Sequence, residues 1–142
     1  MRLKHFLILI GAILIIFSCA KEKKNQEKEP LMMREASELA IMMEQMYAFN
    51  DSVKRQILRG EEISKLPFEL QEMHTLEMTD RFSRDDNFNK FSVVFEKYQK
   101  QLYTTTSDSL RTVYNNVIQT CIACHQTSCT GPIPRIKKLL ID

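Results

Sequence analysis

The chain has 142 residues, 44% of them hydrophobic and 27% charged, with three glycines, no tryptophan and a formal charge of +2. That length suits one domain with enough apolar material for a core of useful size. A near-neutral balance argues against nucleic acid as a partner, since binding a polyanion calls for a basic surface.

Residues 1–5 carry Arg2 and Lys4, residues 6–17 form an unbroken apolar run, and Ser18-Cys19 follows. A basic start, a short apolar stretch and a small residue at the cut describe an export signal. The apolar run is shorter than the roughly 20 residues of a membrane span, although an uncleaved anchor helix is the alternative. The stretch Ile16-Phe17-Ser18-Cys19 resembles a bacterial lipobox, with Phe17 bulkier than usual. That resemblance implies a lipoprotein signal peptide over residues 1–18 and lipidation at Cys19. Cleavage would leave 124 residues and, without Arg2 and Lys4, 18 basic against 18 acidic side chains. Residues 19–30 then comprise the lipidated cysteine and "AKEKKNQEKEP", which lacks a large apolar residue and is expected to be a flexible, solvated tether. Residues 31–142 are the expected domain, outside the cytoplasm and tied to a membrane of the cell envelope.

Within that domain the apolar residues recur at helical spacing, and no segment alternates for long enough to make a strand. The first expected helix covers 31–59, with Ala36, Leu39, Ala40, Met43, Met46, Tyr47 and Val53 near one stripe and Gly60 as its stop. After the loop "EEISKLP" comes a shorter helix over about 67–79, with Leu70, Met73 and His74 on its inner face. The third expected helix, about 86–104, aligns Phe88, Phe91, Phe95, Tyr98 and Leu102. The fourth starts after Ser107-Asp108, both good caps, and runs to about 126 with Leu110, Val113, Tyr114, Val117, Ile118, Cys121 and Ile122 in phase. Four amphipathic helices joined by short polar turns make an all-α, antiparallel four-helix bundle. In the closing "GPIPRIKKLLID" the prolines end the helix and the apolar residues dock back. Arg135, Lys137 and Lys138 form either a basic patch or a solvated last turn.

The chemistry is concentrated in Cys121-Ile122-Ala123-Cys124-His125 and the nearby Cys129. With Cys19 lipidated, three cysteines remain, an awkward number for a disulfide framework. A redox pair wants its thiols at a helix N-terminus, and these stand near a C-terminal end, where the dipole disfavours thiolate. A zinc site of Cys121, Cys124, His125 and Cys129 has suitable donors, but adjacent Cys124 and His125 diverge on a helix and small zinc modules space their later ligands further apart. The C-x-x-C-H spacing instead fits covalent haem c: two thiols add to the vinyl groups and the histidine takes the iron. On a helix, positions 121, 124 and 125 share one patch.

A helical bundle with its single C-x-x-C-H on the last helix resembles the class II c-type cytochromes, the cytochrome c′ family. The resemblance covers about residues 31–128 and implies one haem c, attached outside the cytoplasm through Cys121 and Cys124, with His125 as proximal iron ligand. It also implies that a residue of the first helix faces the distal side. Matching the family's spacing onto "ELAIMMEQMYAFN" puts Met43 at the iron, with Met46 three positions later. Met42 is displaced by about 100° and is expected to pack on a neighbouring helix. A packing role for Met43 remains open, since methionine fills irregular cores readily. Met46 and His74 are the alternative ligands, and His74 is otherwise a hydrogen-bonded core or propionate-contacting residue. The family commonly has a basic residue four positions after the haem histidine. This chain has Cys129, leaving any charge near the proximal face to come from elsewhere, such as Arg135.

A methionine ligand implies one-electron transfer and no enzymatic reaction. A five-coordinate iron under an apolar wall implies binding of NO or CO. A module that binds no haem, holding another metal or a partner, is the third class. Expected partners are a redox protein of the envelope and the membrane through the lipid anchor. A homodimer is a further candidate, and nucleic acid is not expected.

Overall fold

A computed structural model describes residues 35–142. The signal peptide expected over 1–18 and the lipidated Cys19 and tether expected over 19–30 lie outside the described residues. Within these the fold is all-helical. Four α-helices occur in order: α1, Glu38–Arg59; α2, Asp86–Gln101; α3, Ser107–Thr127; and the single-turn α4, Ile133–Ile136. Two short 3-10 turns, Leu70–His74 and Lys137–Leu139, complete the set. Among the described residues no helix is long and apolar enough to cross a membrane.

The ends of α1 follow from local chemistry. Ser37 is extended and its hydroxyl accepts from the Ala40 N–H, so Ala36, expected on the inner stripe, precedes the helix. The Leu39 N–H donates to the Glu77 carbonyl at 3.0 Å, docking the 75–85 segment on the start of α1. At the far end Gly60 has φ +67°, and the Glu61 N–H reaches back to the Gln56 carbonyl at 2.9 Å. This left-handed closure satisfies carbonyls the helix leaves over.

The helix expected over 67–79 contracts to the 3-10 turn Leu70–His74. Bonds from outside claim the backbone that a longer helix would need. The Arg84 guanidinium donates to the carbonyls of Met73 (3.2 Å) and Leu76. The Glu77 N–H, which would have bonded to the Met73 carbonyl in a continuing helix, donates to Glu38 Oε2 at 2.9 Å. Thr75 adds a hydroxyl bond back to Glu72 at 3.2 Å. The helix expected at 86–104 is α2, capped by Asp85, which accepts from the Phe88 N–H at 2.8 Å. For α3 the cap is Thr106, so Ser107 and Asp108, expected as caps, lie in its first turn. Asp108 there complements the dipole.

The buried faces are more polar than the apolar pattern suggested. On α1 the inner row is Leu39, Met42, Met46, Asn50 and Val53; on α2 it is Phe88, Ser92, Phe95 and Gln99, continued by Leu102. Phe91 and Tyr98 are half-buried. α3 contributes Val113, Tyr114, Val117, Ile118 and Ile122. The buried Tyr114 hydroxyl donates to the Asn50 carbonyl at 2.9 Å, joining α3 to α1. Ile136, Leu139 and Ile141 fold back into the core, as expected of the closing segment. Lys54 holds that segment through the carbonyls of Lys138 (2.9 Å) and Leu140 (2.7 Å). Asn115 pairs with the backbone of Ile141 in both directions.

Candidate functional site

Cys121, Cys124 and His125 stand in the last two turns of α3, at i, i+3 and i+4, and therefore on one side of the helix. Two hollows meet at that side. The narrow one, about 50 Å³, is lined by Met43, Met46, Met73, Phe88, Phe91, Ser92, Phe95, Thr120, Cys121, Cys124 and His125. The wider one, about 300 Å³, lies between α1, the 75–85 segment and the end of α3. Met43, Phe88, Cys124 and His125 line both. The wider volume is at the lower end of the range for small-molecule and cofactor sites.

The imidazole of His125 is oriented by the turn that follows it. Its Nδ1 lies 2.8 Å from the Cys129 carbonyl oxygen. A carbonyl can only accept, so Nδ1 carries the proton, and in the neutral ring Nε2 keeps a lone pair for a metal. The Cys129 N–H returns a bond to the His125 carbonyl at 3.2 Å, clamping the residue from both ends. Thr127 further ties the turn to the Cys124 carbonyl at 2.7 Å. Cys129 thus acts here through its backbone, a role no side-chain pattern announces. The residue is half-buried and lines the wider hollow.

Cys121, Cys124 and Cys129 are free thiols. Burial, and then the neighbouring Cys124, push the Cys121 thiol up to about 12. Burial, and then the charge of Asp85, also raise Cys124. Thiols held protonated at neutral pH are poor nucleophiles for disulfide exchange, which weakens the redox-pair reading. Among the described residues no three His, Cys, Asp or Glu side chains converge as a metal site, so the zinc set is not assembled.

The other candidates separate. Met43 is half-buried and lines both hollows, and Met46 lines the narrow one. Met42 is 3% exposed, packs in the core and lines neither hollow. His74 lines neither hollow; its Nε2 lies 3.0 Å from Glu96 Oε1, and its ring stands edge-on to Phe88. Met73, one residue earlier, reaches the narrow hollow instead. Its place on the inner face was legible in the sequence, but its convergence with Met43 and Met46 depends on the 3-10 turn. Arg135 is bound to Glu44 at 2.7 Å and stacks on the Tyr47 ring at 3.9 Å.

Compared with known proteins, the chain matches no family model, no curated protein and no solved structure.

Proposed function

We propose that this chain is a monohaem c-type cytochrome, exported and tethered to a membrane of the cell envelope through Cys19, that passes single electrons to and from a redox partner protein. On this reading its architecture is an antiparallel four-helix bundle of the cytochrome c′ kind, with residues 61–85 in place of most of the second helix. The observation that carries the reading is the meeting of Cys121, Cys124 and His125 with Met43 around shared, largely apolar hollows.

The residues fit haem c. Cys121 and Cys124, both free thiols, would hold the haem as thioethers, an addition of S–H across two vinyl double bonds that would need no net oxidation or reduction. His125 would hold the iron through Nε2, because Nδ1 is committed to the Cys129 carbonyl. Met43 would hold it through its thioether sulfur, and Met46 is the alternative on the same helix. His74 is occupied by Glu96. Phe88, Phe91 and Phe95 keep water from the interior wall. When bound, haem c supplies the Fe(II)/Fe(III) couple, and its potential depends on axial ligand and burial.

The narrow hollow favours a second reading. It is apolar and about 50 Å³, room for a diatomic gas. With no side chain in the sixth position, the protein would bind NO or CO. One preparation tests both readings: the chain matured with haem outside the cytoplasm. Denatured protein should keep its haem through acid–acetone extraction, and the oxidised spectrum should be low-spin. Extractable haem refutes covalent attachment, whereas a high-spin protein that binds CO transfers the function to gas binding.

A further inference from the structure

We propose that Arg81 is the anion-binding residue of this site and receives a haem propionate at the rim of the wider hollow, an inference that rests on the haem reading above. The hollow is divided by polarity. Leu39 and Phe88 are buried, whereas Glu44, Arg81, Ser83 and Ser128 are exposed at its rim. An occupant must therefore pair an apolar body with a polar end in water. A haem with its vinyl side toward the cysteines and its carboxylates outward would have that division, and a guanidinium at the rim would give those carboxylates a charge-assisted hydrogen bond.

The cations near the site are not equally free to serve. Arg135 is held by both carboxylate oxygens of Glu44 at 2.7 and 2.8 Å, and Arg84 is engaged with the carbonyls of Met73 and Leu76. Among the described residues Arg81 is the only lysine or arginine lining either hollow. Its guanidinium lies 4.9 Å from the centre of the Phe82 ring, and it makes no ion pair among the described residues. A cation–π contact with a ring consumes none of a guanidinium's N–H donors, which stay available to fork onto a carboxylate. Among the described residues Glu44 is the one carboxylate lining the wider hollow, and Arg135 pairs with it.

The presentation of Arg81 is structural. It sits at the tip of a turn closed by the Phe82 N–H to the Thr79 carbonyl at 2.8 Å. The turn is anchored to α1 by the Ser37–Thr79 hydroxyl pair at 3.1 Å and by the Leu39 N–H to the Glu77 carbonyl. α1 therefore places Met43 and, through this strap, the arginine.

The test uses the full-length, haem-matured protein and its Arg81→Gln and Arg81→Lys variants. Readouts are the resonance Raman propionate-bending band, which reports hydrogen bonds to the carboxylates, and the midpoint potential. Losing the cation should disfavour Fe(II), shifting the one-electron equilibrium about three- to tenfold, where tenfold is ~59 mV. Arg81→Gln should lower the potential and move the Raman band. Arg81→Lys should restore the potential, by keeping the charge, but not the forked hydrogen-bond signature. A covalently haem-bearing Arg81→Gln protein with wild-type band and potential overturns the role of Arg81 and leaves the haem reading standing. Wild type without covalent haem overturns both.

Discussion

Truncating Met43 and Met42 to alanine, one at a time, separates a side chain that faces the hollows from its neighbour that only packs. Met42 is 3% exposed in the core, and removing a buried methionine side chain costs about 2–5 kcal/mol in lost transfer and cavity energy. At roughly 4 °C per kcal/mol for a domain of this size, Met42→Ala should melt about 10–20 °C lower. Met43 is half-buried, so its truncation should cost about 1–2 kcal/mol and roughly 5 °C. Alanine is the strongest helix former, so α1 itself should survive both changes. The spectra should invert this order. On the proposed function, oxidised wild type is low-spin and shows the weak far-red sulfur-to-iron band. Met43→Ala should lose that band, turn high-spin, fall in potential and open the iron to CO, because thioether ligation favours Fe(II). Met42→Ala should keep the band. Optical spectra with and without CO, alongside thermal denaturation of each variant, decide the matter. An intact band in Met43→Ala, or its loss in Met42→Ala or Met46→Ala, would refute the assignment.

Substitutions at three further positions have distinct expected outcomes. Burial, and then the charge of Asp51, hold the Tyr114 phenol well above its ordinary pKa of about 10. A folded-state pKa above the unfolded one gives stability that is full below about pH 10 and declines as pH rises past it. Tyr114→Phe should flatten that alkaline decline, while losing about 0.5–1.5 kcal/mol at neutral pH with its bond to Asn50, as read by urea denaturation at pH 7 and above pH 10. Gly60→Ala should cost about 1 kcal/mol from backbone strain alone, because φ is +67° and an added Cβ meets nothing within 4 Å; Gly60→Asn, more tolerant of that conformation, should lose less in the same assay. Cys19→Ala should release the protein from the membrane fraction or block its processing, and an unchanged fraction with unchanged mature mass would count against lipidation.

Much of this architecture was legible because helices and short motifs are local. The apolar spacing located α1, α2 and α3, Gly60 marked the first stop, and C-x-x-C-H put three donors on one helical side whatever surrounds them. Tertiary structure decided what depends on residues far apart in the chain. Where the expected helix over 67–79 continues no further than His74, distant side chains hold its backbone: Arg84 takes the Met73 carbonyl and Glu38 the Glu77 N–H. Asn50, Ser92 and Gln99 occupy inner rows that an apolar pattern cannot register, because helix phase and packing bury a position whatever its polarity. The sequence pattern put Met43 on the inner stripe with Met42 displaced by about 100°, whereas the packing of α1 buries Met42 in the core and leaves Met43 half-buried at the hollows. His74 likewise carried a donor atom in the sequence, but its neighbour Glu96 engages it outside the hollows, while Met73 lines the narrow one. A periodic pattern specifies which side of a helix is apolar; which groups meet across helices is specified only when all of them pack together.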